Sequence, residues 1–268
     1  MSRHVVVTGA ASGIGLAVAR SFAALGDRVT LVDHRADALE AAVATVAGGA
    51  EPHASSAGAA VLVADLREPE APARVVATAW EQAPIDVLVN AAGVYPATPF
   101  LDLDAATWDA VRDVNVRAPL LATVALARHA TAVGRTPTIV NITSGAALRA
   151  RPGAAPYSTS KAALEMVTRA SALELGAAGI RVNAVAPGFV VVDSAVNPVS
   201  DDYAAAVSPN PLGRPGKPSD IAKAVVWLAD PEQSGWVTGT VLRVDGGSST
   251  GAHTLPLSNG TTREDVSA

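Results

Sequence analysis

Short runs of valine, isoleucine and leucine alternate with longer, alanine-rich stretches along most of the chain. The short runs predict seven strands: Val5–Val7, Arg28–Val32, Ala60–Val63, Val87–Val89, Thr138–Ile142, Arg181–Val185 and Val241–Val244. Several of them are apolar throughout, which is typical of parallel strands that are covered on both faces. The longer stretches predict helices at Ile14–Leu25, Ala36–Val46, Ala71–Gln82, Thr107–Thr131, Ala162–Leu175 and Asp220–Leu228. The alternation predicts an α/β fold, with a doubly wound parallel sheet between two layers of helices.

Two segments fall outside this alternation. Residues 190–218 are rich in proline, serine and aspartate, and they interrupt the pattern before the last helix. Because a long loop in a compact domain is often functional, we expect this segment to be a substrate lid. We expect residues 251–268, which are polar, to form a C-terminal tail. Residues 1–250, which include this lid, are predicted to be a single NAD-binding catalytic domain.

Composition and charge narrow the chemistry. The 268 residues include no cysteine, which excludes disulfides, thiolate catalysis and zinc–sulfur sites. The net charge is −5 and no basic run occurs, so we expect no nucleic-acid partner. The five histidines lack metal-ligand spacing, so no metal site is expected. Neither a signal peptide nor an apolar run of ~18 residues is present, which favours a cytoplasmic protein without membrane contact.

The first predicted strand runs directly into the sequence TGAASGIG, and a helix follows. In such a loop glycines allow a tight turn close to a pyrophosphate, while the helix N-terminus offers N–H groups and a positive dipole end. Glycine turns also occur for purely structural reasons, but this one occupies the strand–helix junction at which dinucleotides bind. We therefore expect a Rossmann-type domain with cofactor contacts at Gly9, Ser12, Gly13, Ile14 and Gly15.

Asp33 follows the second predicted strand, about 20 residues after the glycine loop. An acidic residue at this distance accepts hydrogen bonds from the adenosine ribose and repels a 2′-phosphate, so it favours NAD over NADP. Two alternatives stay open: Asp33 could instead cap the next helix, and the nearby Arg35 could tolerate a phosphate.

The ends of the next two strands carry further candidate contacts. Asp65 and Leu66 follow the third strand, where we expect them to contact adenine. Asn90, Ala91 and Gly93 follow the fourth strand, in the sequence NAAG, where small residues let a ligand approach the backbone. Each of these features alone would be ordinary turn chemistry.

The sequence YSTSK places Tyr157 and Lys161 four residues apart at the start of a predicted helix, so the two side chains share one face. A phenol of pKa ~10 is a poor base at neutral pH, but a neighbouring cation lowers that pKa. Tyr157 could then exchange a proton with a reacting hydroxyl, and Ser144 could hydrogen-bond the same oxygen. An isolated tyrosine–lysine pair on a helix is commonplace; the upstream dinucleotide loop makes this pair informative.

Together these motifs resemble those of the short-chain dehydrogenase/reductase family, in its shorter, single-domain branch. The matching stretches run from about Val5 to Gly247: TGAASGIG, NAAG, RDVNV, YSTSK, RVNAVAPG and VTGTVLRVDGG. The resemblance implies that Tyr157 is the general acid/base and that Lys161 holds the nicotinamide ribose and lowers the tyrosine pKa. It implies that Ser144 orients the substrate oxygen and that Asn115, in RDVNV, supports a water-linked proton relay through Lys161.

The resemblance also implies cofactor contacts at Pro187, Gly188 and Val190. Relatives that use NADP often carry a basic residue where Ser12 stands, which again favours NAD. One position departs from the family: Val192 stands where a threonine that binds the nicotinamide carboxamide is frequent, so the nicotinamide could be held differently here.

The activity that the resemblance implies is an NAD(H)-dependent alcohol dehydrogenase or ketone reductase. Its partner would be a small-molecule secondary alcohol or ketone, and it would assemble as a homotetramer. The alternative is an NADP(H)-dependent biosynthetic ketoreductase. A non-catalytic NAD-binding protein is less favoured, because Asn115, Ser144, Tyr157 and Lys161 are all present.

Overall fold

A computed structural model describes residues 2–47, 59–192 and 209–251 of the chain. Its strands are β1 (His4–Thr8), β2 (Arg28–Asp33), β3 (Ala60–Val63), β4 (Val87–Asn90), β5 (Thr138–Ile142), β6 (Arg181–Pro187) and β7 (Val241–Val244). They pair in parallel in the order β3-β2-β1-β4-β5-β6-β7. The connections change direction between β1 and β4. In open α/β sheets the carboxyl ends of the strands form the ligand crevice at this point.

Helices cover both faces of the sheet. They are α1 (Gly13–Ala24), α2 (Ala36–Ala47), α3 (Ala71–Gln82), α4 (Ala105–Arg112), α5 (Ala118–Ala132), α6 (Ala155–Leu175) and α7 (Pro218–Ala229). Successive residues of β1 serve opposite layers: Val5 and Val7 join the core under α1, α2 and α7, whereas Val6 joins the core under α3, α5 and α6. The predicted doubly wound Rossmann-type fold is therefore confirmed. The central strands β1, β4 and β5 are buried on both faces, whereas β3, at the edge of the sheet, is partly exposed.

The helix predicted over Thr107–Thr131 is divided in the structure. After α4, a five-residue π-helical turn (Asp113–Arg117) precedes α5. Pro119 lies in the first turn of α5 and has no N–H to donate to the carbonyl of Asn115, so a regular ladder cannot continue here. Apolar periodicity does not reveal this interruption, because the same face stays buried on both sides of it. Helix α6 also begins earlier than predicted, at Ala155, with Pro156 in its first turn.

The segment predicted to be a lid is described only at its ends, since residues 193–208 lie outside the described part of the chain, as do residues 252–268 of the predicted tail. At the described ends, Val190 forms a parallel bridge with Gly216. Among the described residues, no helix has the length and apolar character needed to span a membrane, and no cluster of His, Asp or Glu is arranged as a metal site.

Candidate active site

The glycine loop forms a tight turn between β1 and α1. Gly9 and Gly13 have φ angles of 66° and 56°. These lie in the left-handed region, which residues with a Cβ atom rarely adopt. A Cβ on Gly15 would overlap the carbonyl of Gly9, and one on Gly9 would lie 2.8 Å from the backbone of Ala92. The loop therefore packs directly against the chain after β4. The first N–H groups of α1 have no helical acceptors and face the crevice as an anion site.

A groove of about 610 Å³ runs along the carboxyl ends of β1 to β4. It brings together ten of the residues proposed for cofactor binding. They are Gly9, Ser12, Gly13, Ile14, Gly15, Asp33, Asp65, Leu66, Ala91 and Gly93. The groove continues past Val94 and Tyr95, toward the end of the site that carries Tyr157. Its length and its glycine floor suit an extended dinucleotide.

The Asp33 side chain is buried in this groove, and its carboxylate already accepts several hydrogen bonds. Its carboxylate accepts hydrogen bonds from the backbone N–H of Ala11 (3.3 Å) and from the N–H and Nε of Arg35 (both 3.2 Å). The guanidinium of Arg35 also reaches the hydroxyl of Ser12, at 3.1 Å. Asp33 thus forms a local turn just before α2 as well as facing the groove, but its carboxylate accepts from the N–H of Arg35, which precedes the helix, and not from an N–H of α2 itself. Sequence patterns alone did not show that Arg35 spans the space between Asp33 and Ser12.

The proposed adenine contact Asp65 is paired with Arg67. Arg67 donates from its backbone and its guanidinium to the Asp65 carboxylate, and this hydrogen bonding keeps the pKa of Asp65 below its usual value. The carbonyl of Arg67 accepts a hydrogen bond from Arg117, which also pairs with Asp113 at 2.6 Å. The adenine end of the groove is therefore linked to the π-helical turn.

Asn90 does not line the groove. Its amide donates to Asn141 Oδ1 at 2.8 Å, and Asn141 in turn donates to the hydroxyl of Thr168 on α6 at 2.9 Å. This buried chain joins β4, β5 and α6, so the Asn90 side chain has a structural role. Thr8, which sequence reasoning missed, holds the neighbouring backbone: its hydroxyl accepts hydrogen bonds from the N–H groups of Ala91 and Ala92.

Lys161 lies on α6 and is only 4% exposed. Its ammonium donates to the carbonyl of Ile142 at 2.9 Å and lies 5.6 Å from the centre of the Tyr157 ring. Burial lowers the pKa of Lys161 to about 8, because the low-dielectric surroundings disfavour the charged form. The predicted pair is thus assembled with the lysine cation beneath the tyrosine.

Ser144 lies just beyond β5, close in the chain to the lysine's acceptor Ile142. It starts a short 3₁₀ turn, and its hydroxyl accepts a hydrogen bond from the N–H of Ala146 at 3.1 Å. That bond leaves the hydroxyl proton available for another acceptor. The loop that follows leads to α6, which carries Tyr157 and Lys161.

Asn115 is completely buried in the π-helical turn. Its Oδ1 accepts a hydrogen bond from the N–H of Val94 (2.9 Å), while its Nδ2 donates to the carbonyl of Val94 (3.0 Å) and to the hydroxyl of Ser160 (3.0 Å). A Cβ on Gly93 would lie 3.4 Å from Lys161 Nζ and 3.5 Å from Asn115 Oδ1. Glycine at position 93 therefore lets the lysine and the asparagine approach the same short piece of backbone.

The chain after β6 reaches the groove at Val192, whereas Pro187, Gly188 and Val190 do not line it. β6 ends at Pro187, and a Cβ on Gly188 would lie 2.8 Å from the backbone of Asp245, so the turn here requires glycine. Val190 is held by its bridge to Gly216. The side chain of Val192 lies 3.5 Å from the position that a Cβ on Gly13 would occupy. At the position where the family often has threonine, this chain thus packs a valine over the glycine loop.

Comparison with known proteins agrees with this geometry. A family model described as enoyl-(acyl carrier protein) reductase matches residues 9–249. Galactitol 2-dehydrogenase (L-tagatose-forming) of Cereibacter sphaeroides is 40% identical over 245 residues, covering 90% of this chain and 92% of that protein.

Two solved structures bear on the cofactor. A 4-hydroxyisoleucine dehydrogenase complexed with NADH has a TM-score of 0.83 at 28% identity, covering 94% of this chain and all of that one. A proposed NAD(P)-dependent gluconate 5-dehydrogenase from Beutenbergia cavernae, with NADP bound at low occupancy, has a TM-score of 0.83 at 33% identity, covering 93% of this chain and 97% of that one. Proteins similar to this chain therefore bind nicotinamide cofactors of both kinds.

Proposed function

Because this chain belongs to the short-chain dehydrogenase/reductase family of oxidoreductases, we propose that it transfers a hydride between NAD(H) and a secondary alcohol or ketone. Tyr157 is the proposed general acid/base. The observation that carries the proposal is the buried Lys161 ammonium beneath the Tyr157 ring, close to the groove that the glycine loop lines.

The bound nicotinamide would accept or supply the hydride. The protein's own task is to move the matching proton and to hold the substrate. For oxidation, the phenolate of Tyr157 takes the proton of the alcohol; for reduction, the phenol returns it to the carbonyl oxygen. The cation of Lys161 favours the phenolate by electrostatic attraction. Ser144, whose hydroxyl proton is available, donates to the substrate oxygen and orients it.

The residues present fit the cofactor. We propose that Gly9, Ser12, Gly13, Ile14 and Gly15 hold the pyrophosphate at the N-terminus of α1, where N–H groups have no helical acceptors. The backbone of Ala91 and Gly93 would follow along the groove, and Asp65 and Leu66 would contact the adenine. Lys161 would hold the nicotinamide ribose, and Pro187, Gly188 and Val190 would also contact the cofactor.

NAD(H) is the cofactor we propose, because Asp33 faces the groove with a carboxylate that attracts ribose hydroxyls and repels a phosphate. One observation favours NADP(H) as a second candidate. Arg35 lies against the same carboxylate and reaches Ser12, so it offsets the negative charge and offers a guanidinium that could pair with a 2′-phosphate. Which charge dominates in the complex decides the preference.

We further propose a homotetramer. Met166 and Leu173 on α6 are 61% and 85% exposed, and Trp236, near β7, is fully exposed. Large apolar side chains on helix and sheet-edge surfaces are typical of subunit contacts. Sedimentation of the purified protein tests this assembly, and a monomer at micromolar concentration would contradict it. The cytoplasmic location stays a prediction of the sequence.

The test of the activity combines binding with turnover. NADH and NADPH are titrated by nicotinamide fluorescence, and secondary alcohols are then screened with the preferred cofactor. Tyr157→Phe should lower kcat by at least about 100-fold, since proton transfer by a positioned group contributes that much, while NADH affinity changes little. Thr159→Ala, which removes an exposed hydroxyl from the same helix, is the control. Unchanged turnover in Tyr157→Phe would refute the proposed mechanism.

A further inference from the structure

Tyr157 contacts neighbouring groups through its ring and also through its backbone. Its ring packs against the ring of Tyr95, with centroids 4.7 Å apart and a 53° angle between the planes. Its backbone carbonyl accepts a hydrogen bond from the hydroxyl of Ser160, at 2.7 Å. The ring is thus held by the chain after β4, and the backbone is held from within α6.

The chain that carries Tyr95 is itself fixed by Asn115. The preceding residue, Val94, has both its N–H and its carbonyl bonded to the Asn115 amide, at 2.9 and 3.0 Å. These two bonds form a small ring between the side chain and the backbone, which restricts both the position and the twist of Val94. Tyr95 therefore presents its ring to Tyr157 from a fixed point.

Ser160 connects these two contacts. Its hydroxyl has one proton, which it donates to the carbonyl of Tyr157, and one of its lone pairs accepts the remaining N–H of Asn115 at 3.0 Å. The side chain of Ser160 is buried, and Asn115 is fully buried. Removal of the hydroxyl would leave a buried N–H of Asn115 without this acceptor, which is costly because water cannot replace it.

These contacts close a circuit: Tyr157 ring, Tyr95 ring, Val94 backbone, Asn115 amide, Ser160 hydroxyl, and the Tyr157 carbonyl again. We infer that Ser160 is a positioning residue for the reaction, because it closes this circuit and so fixes the direction of the Tyr157 phenol relative to Lys161. Ser160 is buried and does not line the groove. The inference rests on the proposed function, in which Tyr157 transfers the proton.

The circuit also reaches the lysine. Asn115 Oδ1 and Lys161 Nζ both lie close to Gly93, at 3.5 and 3.4 Å from the position of a Cβ there. A shift of Asn115 would move Val94 and Tyr95, and with Tyr95 the Tyr157 ring, and so change the distance between the lysine cation and the tyrosine. Because that distance sets how strongly the phenolate is favoured, loss of the Ser160 bond should alter the pH dependence of the rate as well as its size.

Ser160→Ala tests the inference, with Ser158→Ala as a matched control. Both serines lie in the same turn of α6, but the buried hydroxyl of Ser158 has no hydrogen-bond partner among the described residues. Ser160→Ala should lower kcat about tenfold, which is the size of one buried hydrogen bond. It should also move the rise of the alcohol-oxidation rate to higher pH. NADH affinity should stay within about twofold, whereas Tm should fall below that of Ser158→Ala, because the buried N–H of Asn115 loses its acceptor.

A kcat and pH profile equal to those of Ser158→Ala would overturn the inference. So would a loss of rate accompanied by an equal loss of NADH affinity and by an unchanged pH profile, because that pattern describes a structural serine. The proposed function fails separately, through unchanged turnover in Tyr157→Phe. A large loss in Tyr157→Phe with none in Ser160→Ala would therefore reject only the positioning role.

A double-mutant cycle with Tyr95→Leu provides a second measurement. If the two residues act through one circuit, breaking it at Ser160 should reduce the effect of breaking it again at Tyr95, and the double variant should lose less activity than the product of the single losses. Fully multiplicative losses in kcat would contradict a closed circuit and would leave Ser160 and Tyr95 as independent contacts.

Discussion

The two ends of the groove are held in different ways. At the adenosine end, Asp33 pairs with Arg35 and Asp65 pairs with Arg67, whose side chain is 63% exposed. At the chemical end, Lys161, Asn115 and Ser160 are buried, and their hydrogen bonds run to backbone carbonyls and to one another. One end is built from ion pairs whose arginines reach water, and the other from buried polar groups.

Because of this difference, we expect cofactor specificity and reaction rate to depend on different ends of the groove. Ion pairs near water contribute little to stability, so their partners can rearrange around a ligand at small cost. Buried polar groups that lose a partner incur the full desolvation penalty, so they stay in one arrangement. Substitutions at the adenosine end should therefore change which cofactor binds, whereas substitutions at the chemical end should change how fast a bound pair reacts.

The largest expected effect comes from removing the cation at the chemical end. Lys161→Met should lower kcat for alcohol oxidation at neutral pH by at least about 100-fold, since the phenolate of Tyr157 loses its electrostatic support. In the unmodified protein the lysine, with its pKa near 8, is protonated at neutral pH. The rate in the variant should therefore rise only at higher pH. A pH profile with the same inflection as the unmodified protein would contradict this role.

The next largest effect is expected from a substitution of Gly15, in the glycine loop. In Gly15→Ala the new methyl group would overlap the Gly9 carbonyl, so the cofactor loop must shift. We expect the free energy of unfolding to fall by about 1–3 kcal/mol, with weaker NADH binding. Gly176→Ala is the control, because no atom lies within 4 Å of its Cβ position and its φ is −61°. It should be neutral or stabilising by up to about 1 kcal/mol. Equal results from both variants in urea unfolding would refute the packing argument.

The adenosine end is tested by Arg35→Ala. Loss of the guanidinium leaves Asp33 with its charge no longer offset by Arg35, so NADPH affinity should fall relative to NADH affinity by roughly tenfold, with little change in kcat at saturating NAD. Fluorescence titration of both cofactors measures the ratio. Arg20→Ala, which removes an arginine on α1 that donates to the hydroxyl of Thr45, is the control. An unchanged ratio would mean that Arg35 takes no part in discrimination.

The smallest expected effect comes from His4, a buried titratable group that lies outside the groove. His4 is buried between the Ala83 carbonyl and the Thr30 hydroxyl, and burial lowers its pKa. The unfolded chain therefore takes up a proton before the folded protein does. The stability that the neutral histidine contributes is complete above about pH 6.5 and is lost as the pH falls below it. His4→Gln should show a flatter dependence of unfolding free energy on pH from 7.5 to 5.5, without any change in cofactor preference. If the unfolding free energy of His4→Gln depended on pH as steeply as that of the unmodified protein, this prediction would be contradicted.

Much of the fold was predictable because its signals are local. Every predicted strand is present within about two residues of its predicted ends, since an apolar run covered by helices on both faces is visible in composition alone. The glycine loop was recognisable for the same reason: the conformations at Gly9 and Gly13 need glycine at those positions. Tyr157 and Lys161 were recognisable from their helical spacing.

Only the tertiary structure decided how these parts meet. The π-helical turn that places Asn115, the reach of Arg35 from Asp33 to Ser12, and the circuit through Ser160 all join residues far apart in the chain. Hydrophobic periodicity records which face of an element is buried, but it does not record which polar atoms meet there. Those contacts depend on distances of a few ångströms between separate elements, and these distances exist only once the sheet and its helices have packed.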